Sequence, residues 1–198
     1  DLEIREEPIP VPEDDEVLVR IIAAAVNPLD NMIIRGEVKL IVPYKTPLVM
    51  GNEFAGVVEK TGRGVSRFKP GDRVYGRMPL KRIGAFAEYA AVSESALAVI
   101  PDYLSYEEAS TVPLTALTTM QAFEIMQVKP GESVFVSGGT GSLGAMAIPV
   151  ARSLGLHVYT NGSGENEERV LKLGAEKFID YKKEKYTDVL ANVDHVLD

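Results

Sequence analysis

Residues Ser133 to Gly155 read SVFVSGGTGSLGAMAIPVARSLG, and the class of the chain turns on this stretch. A β-branched and aromatic run, Val134-Phe135-Val136, leads into a turn rich in glycine, Gly138-Gly139-Thr140-Gly141, and then into an apolar segment starting at Ser142. Alternation gives way there to helical spacing, with Leu143, Ala147, Val150 and Leu154 on one face until Gly155 ends the helix. Strand, turn and helix in this order open a βαβ unit. Glycine at 141 and 144 allows the backbone to approach a pyrophosphate and the helix to pack closely on its strand. N–H groups at the helix start then face the phosphates, where the helix dipole also favours negative charge. The spacing GxxGxxG departs from the usual GxGxxG, and by itself fits a flexible turn before a packed helix equally well. Its flanking strand and helix are what favour a dinucleotide site. Pro149 falls beyond the first turn, where it removes the hydrogen bond to Ala145, so a kink is expected.

Downstream, the alternation continues. Leu156 to Thr160 reads as a second strand, Glu165 to Leu173 as a helix with Gly174 as its cap, and Lys177 to Tyr181 as a third strand. A helix near Glu184 to Ala191 and a strand at His195 follow, which together predict a doubly wound parallel sheet. Upstream, residues 1–100 are short strands with glycine and proline between them: Val17 to Val26, Phe54 to Glu59, Arg73 to Tyr75, Ala87 to Val92 and Ala96 to Ile100. Lys69-Pro70-Gly71-Asp72 has the proline and glycine of a type II turn. Such a region predicts a small, partly open β-barrel. Ser105-Tyr106-Glu107-Glu108 is a capping box opening a short helix that Pro113 ends, and Leu114 to Met126 reads as the next helix.

The 198 residues fit one large or two small domains, here residues 1–119 and 120–198. A net charge of −8 without a basic block argues against nucleic acid or an anionic membrane as partner. No apolar run reaches the ~20 residues that span a bilayer. Cysteine is absent, which excludes disulfides and thiolate metal sites and favours a cytoplasmic setting. Asp1 begins within a strand-like segment and Asp198 ends on one, so both ends read as cut and a fragment is expected.

Several motifs occur in a telling order. Asn27-Pro28-Leu29-Asp30 precedes Gly51-Asn52-Glu53-Phe54-Ala55-Gly56, followed by Lys69 to Val74, Ala87-Glu88-Tyr89, Pro113 with Thr118, the glycine turn and Leu173-Gly174-Ala175. Together they resemble the medium-chain dehydrogenase/reductase superfamily in its zinc-free quinone oxidoreductase (zeta-crystallin-like) branch, over nearly the whole chain. The resemblance implies a GroES-like catalytic domain followed by a Rossmann domain, with the active site in the cleft between them. It also implies a C-terminal part, absent from this sequence, that completes the sheet and lines part of the substrate pocket.

Zinc-dependent relatives hold the metal through cysteine, histidine and acidic side chains. Where the resemblance puts the first ligand this chain has Asn27, and where it puts histidine it has Asn52. Glu53 alone does not meet the three protein ligands a catalytic zinc takes. His157 and His195 lie in expected strands and read as ordinary sheet residues.

For the cofactor, an NAD-selective site carries Asp or Glu about 20 residues after the glycines. Here the second strand ends Tyr159-Thr160-Asn161-Gly162-Ser163-Gly164, without an acid at its tip. NADPH is therefore favoured, with NADH as the other candidate. Asn161, Ser163 and Tyr181 are candidate donors to a 2′-phosphate and Arg169 a candidate cation. Gly138, Gly139, Thr140, Gly141, Ser142, Leu143 and Gly144 form the expected diphosphate cradle. Thr118 is expected against the nicotinamide carboxamide.

By family position Asn27 orients nicotinamide and acceptor, while Asp30 fixes its loop. Tyr44 either donates to the acceptor oxygen or shields the barrel as a loop aromatic. The expected reaction is hydride transfer from NADPH to a quinone or an α,β-unsaturated carbonyl, the acceptor being set by the loop Val38 to Thr46 and by the segment not present. Two alternatives remain: a zinc-type alcohol dehydrogenase, or a non-enzymatic NADPH-binding crystallin or trafficking protein. The resemblance further implies a homodimer.

Overall fold

Valines and small residues at alternate positions make Glu16–Ala25 a strand, β1, with Val17 and Val19 fully buried. It belongs to the first of two units, residues 1–114 and 115–198, into which the chain divides. In the computed structural model the described residues are 2–40, 43–80, 82–190 and 192–198. Asp1, Ile41, Val42, Lys81 and Ala191 lie outside them, including two residues of the expected acceptor loop and the last of the helix expected near Glu184 to Ala191.

β1 pairs antiparallel with β2 (Glu53–Thr61) and with β4 (Tyr89–Ser93), and β3 (Arg73–Arg77) joins β2 to β5 (Leu97–Val99). The sheet order is β4-β1-β2-β3-β5. Register shifts between Leu18 and Val19 and between Ile21 and Ala23 are the bulges that add twist to so small a sheet. Val17, Val19, Phe54, Val58, Val74 and Leu97 form its core. One helix of this unit was not expected: α1, Pro28–Arg35. Its signals are nonetheless present in the sequence, with Asn27 as N-cap, Pro28 in the first turn, Asp30 in the N3 position and Gly36 as cap. The expected capping box does form, Ser105 N–H donating to Glu108 Oε2 at 2.9 Å and Glu108 N–H to Ser105 Oγ at 3.1 Å, and opens α2, Tyr106–Ser110.

The second unit follows helix α3 (Pro113–Met126) with β6 (Ser133–Val136), α4 (Ser142–Ser153), β7 (His157–Gly162), α5 (Glu167–Lys172), β8 (Lys177–Asp180), α6 (Tyr186–Val189) and β9 (His195–Leu197). All four strands are parallel in the order β8-β7-β6-β9, so the order reverses at β6, the strand that enters the glycine turn. Open sheets of this kind bind ligands outside the carboxyl ends of the strands at such a reversal.

Two expectations need correction, one in α4 and one in α5. α4 contains Pro149 on its exposed side, where carbonyls already tilt toward water. Its buried stripe is Gly144, Ala147, Ile148 and Ala151, not the face built on Leu143 and Leu154, and Leu154 is 42% exposed. Small residues let the helix approach the sheet, and that outweighs the larger apolar area of leucine. The expected helix from Glu165 begins instead as a 3₁₀ turn, Gly164–Asn166, and α5 is correspondingly short.

Candidate functional site

At the end of β6 the chain turns through Gly138 to Gly141 and enters α4. The tip of β7 holds this turn: Gly138 N–H donates to Asn161 Oδ1 at 2.7 Å and Gly139 N–H to the Asn161 carbonyl at 3.0 Å. Thr160 Oγ1 donates to the Val136 carbonyl at 2.6 Å. At Gly139 and Gly144 the backbone is drawn in so closely that a side chain is excluded. A Cβ on Gly139 would lie 2.2 Å from Thr160 Oγ1, and one on Gly144 would lie 2.4 Å from the Gly138 carbonyl oxygen. α4 starts from Gly141 without any side-chain cap, and its first backbone bond is Ala145 N–H to the Gly141 carbonyl at 2.8 Å. The first-turn N–H groups, those of Ser142, Leu143 and Gly144, therefore emerge uncapped beside a turn in which Thr140 carries the one side chain. A diphosphate fits such a helix start in both charge and hydrogen bonding.

The other cofactor candidates fall in different surroundings. The Oδ1 of Asn161 is engaged by the turn, which leaves only its Nδ2 for a ligand. Ser163 precedes the 3₁₀ turn and caps nothing, and Tyr181 is 58% exposed after β8. Thr118 is on the exposed side of α3, and Arg169 is exposed on α5. Reading the sequence missed the lysines that follow β8. Lys183 Nζ lies 3.3 Å from Asp180 Oδ2 and Lys182 Nζ 3.8 Å from Glu165 Oε1. The Cβ position of Gly164 is 3.8 Å from the same Lys183 Nζ, so cations do stand near the tip of β7. A bond from the Lys182 N–H, and then Lys183, hold the Asp180 carboxyl below its ordinary value. Paired lysines directly after a strand were the available signal.

The first unit carries a separate polar cluster under its apolar sheet. Asn27, Asp30, Asn52 and Glu53 are all buried. Asp30 takes the Asn27 backbone N–H on Oδ2 at 2.7 Å and Asn52 Nδ2 on Oδ1 at 2.8 Å. Glu53 takes Asn27 Nδ2 on Oε1 and the Leu114 N–H on Oε2, both at 2.7 Å. Burial raises the Glu53 carboxyl above its ordinary value, against the bonds from Asn27 and Leu114 that lower it. All four carboxylate oxygens thus already accept N–H donors, and the side chains between them end in amides rather than imidazole or thiolate. Such a donor set does not fit a zinc ion that takes three protein ligands. Among the described residues no group of three or more histidine, cysteine or acidic side chains is arranged to hold a metal. Tyr44, placed in the loop ahead of Gly51, donates its hydroxyl to the Ile33 carbonyl of α1. Its proton is engaged by backbone, which accords with the shielding alternative for this residue.

An antiparallel sheet followed by a parallel sheet entered through a glycine turn fits the GroES-like and Rossmann-like architecture expected from the sequence. Comparison with known proteins agrees. Residues 13–102 match the alcohol dehydrogenase GroES-like domain. The chain is 36% identical over 198 residues to the 2-methylene-furan-3-one reductase of Solanum lycopersicum, covering 96% of this chain and 51% of that protein. It is 35% identical over 184 residues to the quinone oxidoreductase of Sus scrofa, covering 91% and 54%. The quinone oxidoreductase of Thermus thermophilus, whose structure is also known in complex with NADPH, superposes with a TM-score of 0.85 at 33% identity, covering 100% of this chain and 62% of that one. The chain's homologues are quinone oxidoreductases and enone reductases of the medium-chain dehydrogenase/reductase superfamily. It spans about half the length of the curated relatives it matches.

Proposed function

We propose that the protein carrying this chain is an NADPH-dependent oxidoreductase that reduces a quinone or an α,β-unsaturated carbonyl without zinc. The single observation that carries the reading is the uncapped start of α4 against a glycine turn that closes on Gly139 and Gly144. NADPH, when bound, supplies the hydride. The protein's own part is to hold, orient and keep water out. Backbone N–H groups of Ser142, Leu143 and Gly144 hold the diphosphate, with Gly138 to Gly141 giving it access. Ser163, Asn161 Nδ2 and Tyr181 serve the ribose end, and Lys183 adds positive charge there. Thr118 meets the carboxamide. Asn27 orients the acceptor, and its bond to Glu53 fixes its amide plane. Tyr44 keeps its loop against α1. A GroES-like domain over residues 1–119, a Rossmann domain from 120, a homodimer and a cytoplasmic setting complete the proposal.

Loss of NADPH absorbance with quinones and with enals tests it on the intact protein. Turnover of either class supports the reading. NADPH binding without turnover of any acceptor would favour a non-enzymatic role, and stoichiometric zinc on metal analysis would overturn the zinc-free assignment. For the cofactor end, Ser163→Asp should move the NADPH-to-NADH affinity ratio toward NADH by about tenfold or more, since a carboxylate near a 2′-phosphate repels it. Titration of both nucleotides measures this, and an unchanged ratio would remove Ser163 from the site.

A further inference from the structure

The pairing of β2 with β3 sets Arg77 opposite Glu53, yet the two make no ion pair. Among the described residues the Arg77 side chain makes neither an ion pair nor a hydrogen bond, and its Nε is buried without a partner. Its charge acts on Glu53 without a hydrogen bond between them; the unbonded Nε–H is costly, and the planar guanidinium fork matches a carboxylate in two parallel bonds. Arg77 forms part of the wall of a cavity of about 490 Å³ in the first unit. Leu29, Ile33, Leu48, Leu80 and Ile83 supply an apolar lining, and among the described residues no acidic side chain belongs to it. Two further cations reach the same cavity. Arg82 is already paired with Glu16, whereas the exposed Lys45 is unpaired among the described residues. The volume is in the range of small-molecule sites, ~300–1,000 Å³.

We propose that this cavity takes an acceptor whose hydrocarbon body carries a carboxylate, and that Arg77, assisted by Lys45, is the residue that selects for that anion. The proposal deepens the oxidoreductase reading and rests on it for the word acceptor, but the anion site itself can be tested without turnover. Calorimetry on the intact protein would compare octanoate with octanamide, which share a chain and differ in charge. Octanoate should bind roughly tenfold to a hundredfold more tightly, as hydrogen bonds to charged groups allow. Arg77→Gln should erase that difference and leave octanamide binding unchanged, with Arg77→Lys retaining part of it. Equal affinity for the two probes, binding of neither, or the same preference in the Arg77→Gln protein would overturn the proposal. If Arg77→Gln fails to fold, Lys45→Gln on the exposed rim is the second variant, expected to weaken octanoate alone by a few-fold, and equal binding of both probes to the unmodified protein still refutes the site. A carboxylate preference without NADPH oxidation would sink the enzymatic reading and leave the anion site standing. Turnover of neutral enones without such a preference would do the reverse.

Discussion

Replacing Gly144 with valine should weaken NADPH binding by about tenfold to a hundredfold. A Cβ at this position would stand 2.4 Å from the Gly138 carbonyl oxygen and 2.6 Å from Gly139 Cα. Both neighbours are backbone, so neither can swing aside as a flexible side chain would. The start of α4 must instead lift from the turn, carrying with it the N–H groups that are to meet the diphosphate. Forcing extra carbon into a close-packed contact costs about 1–3 kcal/mol, and 1.4 kcal/mol is a factor of ten in affinity. Gly141→Ala provides the graded comparison, because its Cβ would sit 3.3 Å from the same carbonyl oxygen, which a small adjustment relieves. Its affinity should fall only a few-fold. Fluorescence titration with NADPH, alongside thermal unfolding, separates a displaced helix from a protein that has not folded. A folded Gly144→Val protein that binds NADPH as the unmodified one does would remove the glycine turn from the cofactor site.

How far the sequence revealed this arrangement differs between the two units, and for physical reasons. The glycine turn was legible because strand, turn and helix are contiguous and each leaves a local signal in residue type. Which face of α4 meets the sheet was not, since size and apolarity point to Leu143 and Leu154 while close approach selects Gly144, Ala147 and Ala151. α1 was missed although its caps are present, because short strands on either side set the expectation for the whole region. Asn27, Asn52 and Glu53 were singled out only through the family resemblance. Their hydrogen bonds depend on how β1 and β2 pair across two bulges, and no local pattern encodes that register. Arg77 was likewise hidden. In a strand reading RVYGR an arginine at the end is ordinarily a solvated residue, and only the pairing with Glu53 places it on the cavity.

Removal of the Glu53 carboxylate should strongly destabilise the first unit. Glu53→Ala leaves Asn27 Nδ2 and the Leu114 N–H without their acceptor in a buried setting, at about 1–3 kcal/mol for each unsatisfied group. Against a typical total of ~5–15 kcal/mol that is enough to unfold a marginal domain. Glu53→Gln is milder, since the amide oxygen still serves one donor while its NH₂ opposes the other. The glutamine also isolates the charge. Burial raises the folded Glu53 carboxyl above the ordinary 4.5, so the folded state holds this proton more tightly than the unfolded chain does. Its contribution to stability is therefore fully present below pH 4.5 and is lost as pH rises through the higher folded value. Glu53→Gln has no proton to lose there. Chemical denaturation across that interval should show the unmodified protein losing ground to Glu53→Gln as pH rises, then a constant difference above it. Parallel curves for the two proteins would mean that the Asn27 and Leu114 bonds fully offset the cost of burying the charge, and that Glu53 is as comfortable ionised inside the sheet as in water.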